Sequence, residues 1–188
     1  MNVQYNDFGL YTVDVAYLRY LHEHDSEVRF SEHKPYEKKP FIGIIAFIGA
    51  YTYFIPLTSA KQKHSRWKTV SQTHYLIYEV IDKAKVSEKD IVKPYNDSEA
   101  IKIFAALDIK KMIPVPDGLY SKIDFDKIDD KKYKKLLIYE FLFCQGIQDG
   151  ILVKAKEAYT KQKFTSKVFP MFCNYAKLEQ ACNEYIAQ

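Results

Sequence analysis

The stretch FIGIIAFIGAYTYFIPLTSAK, residues 41–61, decides the fold. Two apolar runs rich in β-branched and aromatic residues flank Gly49-Ala50, which predicts a β-hairpin with a short turn. The second strand ends at Pro56-Leu57, and Thr58 and Ser59 follow. Lys61, Lys63, His64, Arg66 and Lys68 come next in quick succession, with Trp67 among them. On residue chemistry alone this is either a solvated basic turn at a strand end or a turn that handles phosphate.

Working outward, residues 8–13 read as a short strand, and Asp14 can cap a helix over 15–24. Residues 25–40 are polar, hold two prolines and read as a loop. Residues 74–81 (HYLIYEVI) predict a third strand. Residues 82–99 are polar and charged, and read as an exposed excursion. IKIFAALDI (101–109) and KMIPVP (111–116) predict two further strands, although the first also suits a helical turn. The last third is helical in composition. Helices are expected over 130–145 and 147–162, the second weakened by Gly150, and from Asn174 onward with Leu178, Cys182 and Tyr185 on one face. Strand, helix, several strands, then helices make an α+β pattern with an antiparallel sheet, without βαβ alternation.

The 188 residues suggest one domain, 1–188, with room for a sizeable core. The net charge of +4 is mildly basic and permits a polyanion partner without demanding one. Sixteen tyrosines offer flat faces and hydroxyls that suit RNA bases as well as a core. Cys144, Cys173 and Cys182 form no CxxC pair, and their odd number together with the lack of a signal peptide predicts reduced thiols in a cytoplasm. The longest apolar run, 41–50, is too short to span a bilayer. GxxxxGK[ST], GxGxxG, HExxH and GxSxG are all missing, which argues against P-loop, dinucleotide, zincin and α/β-hydrolase chemistry. His22 and His24 lie two apart on a helix and face different ways, so no metal and no other cofactor is expected.

Hydroxyls and lysines without a metal suffice to cut RNA. The substrate's own 2′-OH attacks the adjacent phosphate. The protein need only hold the strand in line, help move two protons and stabilise charge on the phosphoryl oxygens. Lysine is a compact cation for such an oxygen, and Ser or Thr can hydrogen-bond the same group.

Four segments, in order, resemble one family. FIGIIAFIGAYTYFIPLTSAK looks like the hairpin and PLTS turn of the ToxN/AbiQ toxins. LYTVDVAYLRYLHEHDSEV (10–28), KKMIPVP (110–116) and CNYAKLEQACNEY (173–185) look like that family's N-terminal, central and C-terminal motifs. These are endoribonuclease toxins of type III toxin–antitoxin and phage abortive-infection systems. The resemblance implies a compact, strongly twisted antiparallel sheet, a partial barrel like MazF and Kid, with surrounding helices. It implies metal-independent, sequence-selective cleavage that leaves a 2′,3′-cyclic phosphate and a 5′-hydroxyl. It also implies two RNA partners, the target and a repeated pseudoknot antitoxin RNA. The toxin would process the antitoxin and remain bound to it in a closed assembly. Neither membrane nor DNA is implied.

Carried over residue by residue, the resemblance makes Thr58, Ser59 and Lys61 the catalytic turn, with Lys39 and Tyr36 joining them from the preceding loop. Lys39 would stabilise charge on the scissile phosphate, or transfer a proton if Lys61 depresses its pKa. Lys38 is the alternative if the loop register shifts by one. Tyr17 is expected to stack on a base or bond a phosphate. Tyr139, beside Ile138 at the position matching a further family tyrosine, is carried over as an RNA-binding residue. Lys63, Arg66 and Lys68 read as a grip on the RNA backbone, whose contacts should weaken as salt rises. His64 has the intrinsic pKa of a general base. Lysines at 131–135 crowd a helix start, where the dipole disfavours cations and a polyanion would help. Two rival readings remain open here: a non-catalytic RNA-binding module using the same basic face, and a protein-interaction domain.

Overall fold

The computed structural model describes residues 8–30 and 43–187. β1 (Tyr11–Val13) leads into α1 (Val15–His24). Asp14 caps this helix by accepting the Tyr17 backbone N–H at 2.9 Å. α1 buries Tyr17, Leu18 and Leu21. The deciding hairpin forms between β2 (Gly43–Ile48) and β3 (Tyr51–Ser59), paired from Gly43↔Pro56 to Ile48↔Tyr51. Gly49 turns the chain at φ +67°, in the left-handed region that a two-residue hairpin turn needs and a side chain disfavours.

β4 (His74–Asp82) and β6 (Glu99–Asp108) form the longest pairing, from His74↔Asp108 to Asp82↔Glu99. The expected excursion over 82–99 is more ordered than its composition suggested. It contains β5 (Ile91–Pro94), paired with β6 from Ile91↔Ile103 to Pro94↔Ala100. The expected strand over 111–116 contracts to β7 (Ile113–Pro114) on β3. β8 (Tyr120–Lys122), which nothing in the sequence signalled, pairs with β1. The strand order is β4-β6-β3-β2-β1-β8, an open antiparallel sheet that does not close into a barrel.

α2 (Lys131–Gly146), α3 (Gln148–Thr165) and α4 (Tyr175–Ile186) follow. Asp130 caps α2 through the Lys132 and Tyr133 N–H groups, which offsets part of the lysine crowding at that helix start. Gly150 does not break α3. A Cβ at this position would lie 2.7 Å from the Tyr75 hydroxyl, so glycine is what lets α3 approach β4. The larger core joins α1, α3, α4 and most strands. A smaller one gathers Leu76, Ile101, Ile103 and Ala106, against which Ala60, Trp67, Tyr78 and Ile91 pack. Cys144, Cys173 and Cys182 are buried and unbridged. No single helix among the described residues is long and apolar enough to cross a membrane.

The expected end of the second strand at Pro56-Leu57 is corrected, since β3 carries PLTS through to Ser59, and two features of the sheet position it there. β3 first pairs with β2 and β7, then crosses to β6 over Leu57↔Leu107, Thr58↔Ala106 and Ser59↔Ala105. β6 thus shares one edge between β3, at Ala105–Leu107, and β5, at Ala100–Ile103. Between them the β4–β6 register shifts, leaving Phe104 unpaired in a bulge. The Phe104 carbonyl accepts the Ala60 N–H at 2.8 Å, fixing the chain as it leaves β3.

Candidate active site

Thr58 is half-buried and Ser59 exposed at the end of β3, held by the pairing with Ala106 and Ala105. Lys61 is exposed on an extended backbone (φ −134°, ψ 156°) just before a short 3-10 turn, Gln62–Arg66. Two reciprocal bonds close this turn. The His64 N–H donates to the Lys61 carbonyl at 2.8 Å, and the Lys61 N–H donates to His64 Nδ1 at 3.1 Å. Because Nδ1 accepts, the neutral ring carries its proton on Nε2.

His64 itself is fully buried. Burial, followed by the charges of Lys63, Lys61 and Arg29, lowers its pKa to about 4 against a smaller opposing pull from Asp108. This is a correction: His64 is neither a surface contact for RNA nor a base poised near neutrality, but a neutral clamp on the Lys61 backbone. Its ring lies 4.6 Å from that of Trp67, and the Trp67 ring 4.5 Å from that of His74. His74 Nε2 donates to the Lys68 carbonyl at 2.9 Å, and the Lys93 ammonium donates to the Trp67 carbonyl at 2.9 Å. The basic segment is therefore seated on β4 and β5 rather than loose. Lys63, Arg66 and Lys68 are exposed, with Lys63 Nζ 5.5 Å above the Trp67 ring.

The structure adds three residues that sequence reasoning missed. Asp108, fully buried at the end of β6, accepts from Arg29 Nη2 at 2.5 Å and lies 3.6 Å from Lys110 Nζ. Lys110 Nζ also sits 5.2 Å over the Trp67 ring. The buried polar atoms without a hydrogen-bond partner among the described residues are Arg29 Nε, His64 Nε2 and Asp108 Oδ1, all in this cluster. Arg29 and Lys110 thus approach one buried carboxylate, while Lys61, Lys63 and Arg29 bring positive charge to bear on the His64 ring. The segments around Arg29 and Lys110 give no such signal in sequence, since Arg29 and Asp108 are 79 residues apart and meet only once the sheet forms.

The Tyr17 assignment is corrected. Tyr17 is fully buried, its hydroxyl donates to the Pro114 carbonyl at 2.8 Å, and its ring meets the edge of Tyr185. Burial, then the neighbouring Cys182, pushes its pKa far above the ordinary phenol value. Tyr139 donates to the Tyr78 carbonyl at 2.7 Å and packs its ring 4.9 Å from Phe104 in the bulge. Tyr17 secures the scaffold and presents no free face to a base, whereas Tyr139 is half-buried and keeps part of its surface open. Lys39, Lys38 and Tyr36 lie outside the described residues. Among those described, no three His, Cys, Asp or Glu side chains are grouped as they would be around a metal ion.

The sequence pattern of the ToxN toxins of type III toxin–antitoxin systems matches residues 9–183. The chain belongs to this family. Endoribonuclease ToxN of Bacillus thuringiensis subsp. kurstaki is 28% identical over 187 residues, covering 93% of this chain and 82% of that protein. Endoribonuclease ToxN of Pectobacterium atrosepticum is 26% identical, covering 93% of this chain and 92% of that one. Among solved structures, AbiQ, a lactococcal anti-phage endoribonuclease of a type III system, shares the fold with a TM-score of 0.73 at 19% identity, over 97% of this chain and 100% of its own. A toxin inhibited by a non-coding RNA pseudoknot shares it with a TM-score of 0.70 at 24% identity, over 97% and 100%. This ToxN-family chain therefore has the α+β fold expected from its sequence, with PLTS at the point where β3 crosses between sheet partners.

Proposed function

We propose that this ToxN-family chain is an endoribonuclease toxin that cuts RNA at the Thr58-Ser59-Lys61 turn. The observation that carries the reading is the turn itself. Two hydroxyls and a lysine stand at a strand end whose backbone is fixed by Phe104 and His64, with Lys63, Arg66 and Lys68 exposed just beyond it. The names of its relatives agree with it.

In the proposed step the substrate 2′-oxygen bonds to the adjacent phosphorus while the bond from phosphorus to the 5′-oxygen breaks. The 2′-OH proton leaves and a proton joins the departing 5′-oxygen. The products are a 2′,3′-cyclic phosphate and a 5′-hydroxyl, so no hydrolytic water and no metal-bound hydroxide is needed. Ser59 orients the phosphate or the 2′-OH, with Thr58 in support. Lys61 and Lys39 stabilise the phosphoryl oxygens, with Tyr36 beside them. His64 takes no proton, since its ring is buried and its Nδ1 is occupied. Lys63, Arg66 and Lys68 track the strand.

The antitoxin in this reading is a repeated pseudoknot RNA that the toxin processes and is inhibited by, within a closed assembly in the bacterial cytoplasm. Release during phage infection would lead to abortive infection. A solved relative described as inhibited by an RNA pseudoknot, and another as anti-phage, support this.

Ser59→Ala tests the assignment. Cleavage should be lost while circular dichroism, thermal melting and RNA affinity stay at wild-type values. Full cleavage by the variant would sink the role of Ser59. A wild-type protein that binds RNA without cutting it would favour the non-catalytic module instead.

A further inference from the structure

A cavity of about 510 Å³ opens where residues 72–73, the last two turns of α3 and the turn at 169–172 meet. It is separate from the PLTS turn and no role assigned above uses it. We infer that this cavity is a subsite for an unpaired base of the RNA being cut, selective for bases that carry an exocyclic amino group. The inference rests on the endoribonuclease reading and adds a specificity determinant to it.

The lining matches a base better than any other part of a nucleic acid. Phe169 and Phe172 present half-buried rings, 5.7 Å apart and tilted by 59°. Flat apolar faces of this kind stack on bases without regard to sequence. Glu157 and Gln72, both exposed to solvent, line the same cavity and bring a carboxylate and an amide to its rim. A phosphate would be repelled by Glu157, whereas a base edge that donates N–H groups is attracted. Adenine, cytosine and guanine each offer an exocyclic amino donor. Uracil offers one N–H between two carbonyl oxygens, which a carboxylate disfavours. Lys161, whose ammonium lies 4.8 Å over the Phe169 ring, supplies the cation for the phosphate attached to that base.

The wall is built, and it is tied to the catalytic side. Met171 holds φ +65°, a backbone region uncommon for a residue with a side chain. The Phe172 N–H closes the turn on the Phe169 carbonyl at 3.0 Å. The next residue, Cys173, donates its N–H to the Lys110 carbonyl at 3.0 Å, and Gln162 Nε2 donates to the Cys173 carbonyl at 3.0 Å. On the opposite wall the Thr73 carbonyl accepts the Ile109 N–H. Ile109 follows Ala105, the partner of Ser59, by four residues, or roughly 13 Å of extended chain. A few nucleotides span that distance.

The test uses the full chain, purified, with single-stranded RNA oligonucleotides that share one cleavage site and carry A, C, G or U at each flanking position in turn. Cleavage gives kcat and KM. Anisotropy of 2′-O-methyl versions, which cannot be cut, gives affinity independently. At one flanking position wild type should disfavour U by about tenfold. Glu157→Gln should reduce that preference to within about twofold and still cut the best RNA. Phe169→Ala should raise KM about tenfold for every base with little change in kcat. A pseudoknot RNA with a single-stranded tail, used as competitor, should lose the same factor against Phe169→Ala if its tail uses the cavity, and a tailless one should not. An unchanged base preference in Glu157→Gln together with an unchanged KM in Phe169→Ala would overturn the subsite while leaving the nuclease intact. If wild type cuts nothing, the endoribonuclease reading fails first, and the anisotropy series still decides whether the cavity reads a base.

Discussion

At the scale of single residues, His64 shows how burial redirects a side chain. Its pKa falls to about 4, below the ordinary 6.5, mainly because the folded protein desolvates the ring. Above pH 6.5 the ring is neutral both folded and unfolded, and its titration leaves stability unchanged. As pH drops from 6.5 towards 4, the unfolded chain binds a proton that the folded one refuses, and stability falls by up to about 1.4 kcal/mol per pH unit. His64→Asn keeps an acceptor for the Lys61 N–H and removes the titration. Urea midpoints at two pH values, near neutral and near 5, should therefore show a smaller loss for this variant than for wild type, and equal losses would contradict the burial of a neutral ring. Residue type and spacing left Thr58, Ser59 and Lys61 open between a solvated basic turn and one that handles phosphate, and only the family motif singled them out. Residue type misled at Tyr17, because a tyrosine suits a core as well as a base and only packing tells which. Arg29, Asp108 and Lys110 were illegible, since their meeting depends on a sheet that brings distant segments together.

At the scale of elements, hydrophobic period and turn chemistry foretold the β2–β3 hairpin, α1 with its Asp14 cap, β4, β6 and the three later helices. β5 and β8 escaped because they are short and only half-buried or exposed, so no apolar alternation marks them. Gly150 had looked like a weakness in α3, but its reason lies on another element. Gly→Ala in a helix ordinarily stabilises by about 1 kcal/mol. Here the new Cβ would meet the Tyr75 hydroxyl at 2.7 Å, while the ring carbon behind it lies at an ordinary 3.6 Å. Gly150→Ala should accordingly destabilise by about 1–3 kcal/mol. In a Tyr75→Phe background the same change should become neutral or stabilising, and a thermal-melting double-mutant cycle reads the reversal directly. Equal destabilisation in both backgrounds would mean that α3 avoids alanine for some other reason.

At the scale of the whole molecule, a modest net charge of +4 conceals a concentrated field. Arg29, Lys61 and Lys63 bring positive charge onto His64 just beyond PLTS, and the exposed Arg66 and Lys68 extend the strip. RNA affinity should fall steeply as salt rises. Replacing Lys63, Arg66 and Lys68 together by alanine should flatten the plot of log affinity against log salt by roughly 0.7 for each phosphate no longer neutralised. A slope unchanged in that variant would place the RNA elsewhere. The open sheet explains how fold and site coincide. β3 changes partners from β2 to β6 where its hydroxyls emerge, and the bulge at Phe104 anchors the exit. The central claim is that such a turn, with the substrate's own 2′-OH as nucleophile, is enough to cut RNA. Its most direct test is to incubate the purified protein with a defined RNA in EDTA and determine the chemistry of the ends. Cleavage yielding 2′,3′-cyclic phosphate and 5′-hydroxyl ends is the predicted result. Cleavage that requires Mg²⁺, or that leaves 5′-phosphate ends, would contradict it.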